Sequence, residues 1–104
     1  MIKINAVGRL SEDAKVETYG REGKTCVKFK LVCNHGYNDD QPPTTLFCTK
    51  FASDENLAQY MKQGDQFIIS GSFSKYRGID GNYYDQVILD RDGLEFGAKK
   101  KEVY

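Results

Sequence analysis

The stretch Asn56 to Tyr76 changes its hydrophobic period partway along, and that change limits the possible folds more than any other part of the chain. Leu57, Tyr60 and Met61 recur at helical spacing up to the pair Gly64-Asp65, which suits a helix C-cap and turn. Beyond it Phe67, Ile69, Gly71 and Phe73 fall on one face. Gln66, Ser70, Ser72 and Ser74 take the other and Ile68 joins them, so the period becomes that of a strand. Gly71 offers no side chain to pack, which marks a bulge, a barrel corner or a close approach of another backbone. A capped helix leading into a kinked, half-polar strand makes a corner for a small barrel.

The flanking segments read as strands too. Ile2, Ile4 and Ala6 alternate with Lys3, Asn5 and Val7, and Gly8-Arg9-Leu10 closes that strand. Ser11 to Ala14 is turn-like, Val16 to Tyr19 fits a short strand, and Gly20 to Gly23 is a turn with glycine at each end. The cleanest alternation follows, with Thr25, Val27, Phe29, Leu31 and Cys33 opposite Cys26, Lys28, Lys30, Val32 and Asn34. Asn34 to Thr44, rich in Gly, Asn, Asp and Pro, reads as a projecting loop that carries Tyr37.

The third strand spans Thr45 to Phe51, with Thr45, Phe47, Thr49 and Phe51 on one face. Ser53 or Asp54 then supplies an N-cap for the helix. Asp80-Gly81 signals a hairpin, the last strand covers Tyr83 to Leu89, and Gly93, Leu94 and Phe96 add an edge segment. The expected architecture is all-β: a five-stranded Greek-key barrel of the OB-fold type over residues 1–97, with one short helix between strands 3 and 4. Residues 98–104, with three successive lysines, form a basic tail expected to lack fixed structure.

Composition rules out more than it proposes. The chain has 104 residues, enough for one domain. Without a membrane span or a signal peptide pattern, it is expected in a cytosol. Cys26, Cys33 and Cys48 lack metal-ligand spacing and His35 stands alone, so they read as reduced thiols, and neither metal nor cofactor is expected. One histidine, no paired carboxylates in a cleft pattern and no phosphate loop argue against an enzyme. Lys and Arg total 15, and Asp and Glu also total 15, so any nucleic-acid function must come from local arrangement.

Several segments resemble the bacterial single-stranded DNA-binding protein family. MIKINAVGRLSEDAKVE is similar to the family's opening strand and turn, GKTCVKFKLVCN to its second core strand, and FASDENLAQYMKQGDQFIISGSF to its helix, turn and glycine-bearing strand. The resemblance covers most of residues 1–96. The chain departs from the family in having no tryptophan, in placing Ala52-Ser53 after Phe51, and in ending basic where the family has a linker and an acidic tip that recruits repair and replication proteins. A form without that tip suits a phage or mobile-element protein, or a trimmed domain; the former is preferred.

Single-stranded DNA presents base faces and phosphates, so its binder needs aromatic platforms interleaved with cations. The candidate aromatics are Tyr37, Phe47, Phe51, Tyr76 and Tyr83; the candidate cations are Lys3, Lys28, Lys30, Lys50, Lys62, Lys75 and Arg77. The resemblance implies stacking near Tyr37, Phe51 and Tyr76 and backbone contacts near Lys30 and Lys62, with Phe47 offset from the family's usual aromatic. Phe29, Phe67 and Phe73 read as core, and Phe47 or Phe51 can serve in either place. Lys15, Arg21 and Lys24 read as solvated turn charges.

The function expected from the resemblance is sequence-independent binding and protection of single-stranded DNA in replication, recombination or repair. The alternative is an OB-fold adaptor that acts mainly through protein partners, as in the dimeric primosomal replication protein. The resemblance also implies a homo-oligomer, dimer or tetramer, joined through the first strand and its neighbours. Replication or recombination proteins are further expected partners.

Overall fold

The computed structural model describes residues 1–34, 41–51 and 55–97. Its strands are β1 (Ile2–Leu10), β2 (Lys15–Tyr19), β3 (Lys24–Cys33), β4 (Thr44–Phe51), β5 (Gln66–Arg77) and β6 (Tyr83–Phe96), with a 3-10 helix at Glu55–Tyr60 between β4 and β5. They form one sheet in the order β1-β5-β6-β4-β3-β2, and a further β1–β3 pairing closes it. Five strands, β1, β5, β6, β4 and β3, thus make the expected barrel, while β2 lies outside the ring against β3. The pairings are antiparallel except β4 with β6, which meet in parallel at Cys48–Val87 and Thr49–Ile88.

Alternation fills the interior. Leu10, Val27, Phe29, Leu31, Cys48, Phe67, Ile69, Val87 and Leu89 are buried together with Met61, and Ile4, Ala6, Leu46 and Phe73 pack against them. These are the inward positions of a two-residue period. β3 serves two neighbours on one edge: Lys24 to Lys28 pair with β2, and Leu31 and Val32 pair with Leu10 and Arg9 of β1. β1 therefore continues through Gly8 to Leu10, where the sequence suggested a closing turn. Gly8 tolerates this because a Cβ there would meet the Val32 carbonyl oxygen at 2.5 Å.

One end of the barrel is stoppered by the 3-10 helix and the turn after it. With three residues per turn, Ala58 and Met61 align on one side. Met61 is fully buried and Leu57 and Ala58 pack on the core, whereas Tyr60, grouped with them by spacing, is exposed. Backbone bonds clasp the stopper: Leu10 N–H donates to the Asp65 carbonyl at 3.1 Å, Gly64 N–H to the Leu10 carbonyl at 2.9 Å, and Ala14 N–H to the Met61 carbonyl at 3.0 Å. Gly64, at φ 89°, makes the reversal. The suggested N-cap, Ser53 or Asp54, lies outside the described residues.

β6 is one strand of 14 residues, where the sequence suggested a strand and a separate edge segment. Its irregularity explains the split. Ile69 of β5 faces Leu94, but Gly71 faces Leu89, so β5 advances two residues while β6 advances five. The extra residues of β6 form a bulge, and Gly71 is the close approach anticipated, because a Cβ there would strike the Ile88 carbonyl and Leu89 Cα. Beyond the bulge β5 and β6 pair through the core as far as Phe73 and Val87, and past that pair they run on as a hairpin. Its tip is tied by Gly78 N–H to the Asn82 carbonyl at 2.8 Å and by Gly81, at φ 84°.

Candidate nucleic-acid interface

Where the hairpin leaves the barrel it faces β3 and β4 across an open groove of about 620 Å³. The sheet wall carries Lys15 and Glu17 of β2, Lys28 and Lys30 of β3, Phe47 and Thr49 of β4, and Glu12 from the β1–β2 connection; Phe29 and Cys48 reach it from the core. The hairpin wall carries Tyr76 from β5 and Tyr83, Tyr84, Asp85 and Gln86 from β6. Phe47 is 52% exposed, Tyr83 68%, Tyr76 45% and Tyr84 42%, so four rings stand open to solvent around one depression.

Local pairing positions each ring. Phe47 is the cross-strand neighbour of Lys30, whose Nζ lies 5.8 Å from the ring centroid, within range of a cation–π contact. Tyr76 faces Tyr84 across the hairpin, and their rings stack at 5.6 Å with planes 29° apart. The Tyr84 hydroxyl donates a short hydrogen bond to Asp80 at the hairpin tip, and Asp80 also accepts from the Asn82 backbone N–H at 3.0 Å. The Tyr84 bond, then the Asn82 bond, hold the Asp80 carboxyl below its ordinary value, and the same bond raises the Tyr84 hydroxyl above its own.

The lysines of the sheet wall stand beside carboxylates. Lys28 meets Glu17 at 3.0 Å and Lys30 meets Glu12 at 3.4 Å. The Glu17 hydrogen bond raises the Lys28 ammonium above its usual value. Lys15, opposite Lys28 in the ladder, forms no ion pair among the described residues.

Of the residues proposed from the sequence, the groove gathers Lys28, Lys30, Phe47, Tyr76 and Tyr83. Others stand elsewhere. Lys3 pairs with Asp90 at 2.8 Å and Lys50 donates to the Arg91 carbonyl at 2.8 Å, so both are drawn to the β6 bulge. Lys62 lies 3.9 Å from Asp13 beside the stopper. Phe51, 40% exposed, faces Cys26 at the far end of β4. Lys75 and Arg77 lie on the hairpin opposite Asp85 and Tyr83 but do not line the groove, although Lys75 reaches Asp85 at 3.8 Å. Tyr37, His35 and the tail 98–104 lie outside the described residues.

Tyr84, Glu12 and Glu17, which the sequence does not single out, line the groove, and Lys15, read there as a turn charge, joins them. Lys15 opens β2 and Lys24 opens β3, so neither is a turn charge. The signal for Lys15 and Glu17 was the alternation of β2, which places Lys15 and Glu17 on a common face. Cys26 and Cys48 are buried and Cys33 half-buried; burial pushes the Cys48 thiol up to about 12 and raises the other two. Among the described residues no group of three or more His, Cys, Asp or Glu could hold a metal ion, and no helix is long and apolar enough to cross a membrane.

The family model described as the single-strand binding protein family matches residues 1–88. The chain is also similar to a single-stranded DNA-binding protein of Clostridium perfringens (strain 13 / Type A), 27% identical over 95 residues that make up 86% of this chain and 63% of the relative. The chain thus spans less than two thirds of that relative's length.

Proposed function

The chain belongs to the single-strand binding protein family, and from that premise we propose that it binds single-stranded DNA in the groove between the β5–β6 hairpin and the β2–β3–β4 face, without sequence preference. The observation that carries the reading is the convergence of four exposed rings, Phe47, Tyr76, Tyr83 and Tyr84, with Lys15, Lys28 and Lys30 around one depression. Every base has a π-face, so stacking is indifferent to sequence and contributes about 1–3 kcal/mol per base. The lysines hold the backbone in register with the rings. Such binding protects exposed strands during replication, recombination or repair and involves no chemical conversion.

Titration with oligo-dT, followed by intrinsic tyrosine emission, tests the proposal directly. Quenching on binding is expected because three of the four rings are tyrosines. No quenching and no binding at low salt would sink it and favour the alternative, an adaptor recognised by protein partners of the replication machinery.

We also propose that the protein self-associates through β1. Ile2 to Arg9 pair with β5 along one edge, and β3 covers the other edge only at Arg9 and Leu10. Such an edge is a template for pairing with a second copy, and Ile2, Val7 and Ile68 are exposed nearby. Light scattering should report a dimer or tetramer that Val7→Lys weakens; a monomer at every concentration would refute it.

A further inference from the structure

The groove brings as many carboxylates as ammonium groups to its ligand. Lys15, Lys28 and Lys30 are matched by Glu12, Glu17 and Asp85, for a local balance of 3 − 3 = 0. This neutrality is built in by the backbone. Ser11 N–H donates to the Lys30 carbonyl at 3.2 Å and so fixes the connection that carries Glu12 beside Lys30. Glu17 faces Cys26 in the β2–β3 ladder, one diagonal step from Lys28. Both carboxylates are thereby held next to the ammonium groups a phosphate would seek.

We propose that Glu12 and Glu17 set the affinity and the salt response of this groove by keeping Lys30 and Lys28 in ion pairs that compete with the ligand's phosphates. The inference rests on the single-stranded DNA reading and deepens it. If a pair stays closed, the phosphate meets a nearly neutral couple. If it opens, the phosphate sits close to an uncompensated carboxylate. Either way the lysine contributes less than a full charge to counterion release, which depends on the phosphates neutralised. The rings then supply most of the affinity, and Lys15 is the sheet-wall cation that acts at full strength.

The neutral isosteres Glu12→Gln and Glu17→Gln keep size and polarity while removing the competing charge. For single strands the slope of log affinity against log salt changes by about 0.7 per effective charge. Each variant should therefore bind oligo-dT with a slope steeper by about 0.7 than the parent. If the curves converge near 1 M salt, each should bind about eightfold tighter at 50 mM, since about a twentyfold range of salt raised to the power 0.7 gives that factor. Lys28→Gln separates a competing role from a merely local one. It should flatten the slope by about 0.7 in the Glu17→Gln background and by much less in the parent.

Unchanged slopes in both Gln variants, or an equal effect of Lys28→Gln in the two backgrounds, would overturn the inference while leaving DNA binding intact. Binding gained by the Gln variants where the parent shows none would support it in its strongest form. Absence of binding in parent and variants alike would remove both the inference and the reading beneath it. Circular dichroism should show the same fold throughout, because Glu12, Glu17 and Lys28 are about half exposed.

Discussion

The two ends of the barrel are built on opposite terms. At the stoppered end Met61, Phe67 and Leu10 are buried in one core, and backbone bonds join the β1 terminus to the turn at Gly64-Asp65. At the groove end, rings of similar size stand in solvent and charges are paired on the surface. Apolar area removed from water stabilises a fold; apolar area left in water is available to a ligand. The contrast predicts that stability and binding can be altered separately.

The largest effect tests the stoppered end. Met61→Ala removes a fully buried side chain from the core and should cost about 2–5 kcal/mol of stability. A urea midpoint shifted correspondingly down, with oligo-dT affinity unchanged where the protein remains folded, would uphold the division. A midpoint that does not move would break it. At the groove end, Tyr76→Ala and Tyr84→Ala should each weaken oligo-dT binding by about 1–3 kcal/mol. Their urea midpoints should barely shift; a loss of stability comparable to that of Met61→Ala would mean that these rings are core after all.

A smaller effect concerns the hairpin tip. The Asp80 carboxyl titrates below its ordinary value of 3.8 because it accepts from the Tyr84 hydroxyl. A depressed acid stabilises at pH above its unfolded value, and that contribution fades as pH falls through the folded one. Tyr84 is raised instead, so its contribution is present below the ordinary tyrosine range and lost as pH climbs through the higher folded value. The clasp is therefore intact across neutral pH. Acidification should increase tyrosine mobility, measured as lower emission anisotropy, in the parent but not in Asp80→Asn. The smallest effect belongs to Lys3→Gln: Lys3 is engaged by Asp90 at the bulge, away from the groove, and its loss should change affinity by less than about 0.5 kcal/mol. A drop as large as that of Tyr84→Ala would extend the interface around the barrel.

The barrel was legible because it depends on period. Val27, Phe29 and Leu31 had to point one way and Lys28 and Lys30 the other whatever β3 paired with, and Gly71 had to mark a place where backbones meet. The groove was less legible because it depends on which strands lie side by side. Lys3 and Lys28 both sit on outward faces, yet one meets the β6 bulge and the other Glu17 of β2. Pairing partners, which alternation does not reveal, make the difference. Alternation sets Tyr83 and Tyr84 on opposite faces, and so implies that only one of them reaches a given surface. On a hairpin that outruns the core neither face is covered, so both rings reach the groove wall. Glu12 belongs to a connection with no period at all.

The bulge in β6 also separates two reading frames. On one side Ile69 faces Leu94 and on the other Gly71 faces Leu89, both registers serve the core, and the hairpin continues the second one past Phe73 and Val87. The arm beyond Phe73 and Val87 can be lengthened or trimmed in matched steps, the same number of residues from each strand, while the core residues Val87 and Leu89 keep their places. Each step of two residues per strand would alter its reach by about 7 Å, and with it the width of the proposed binding groove.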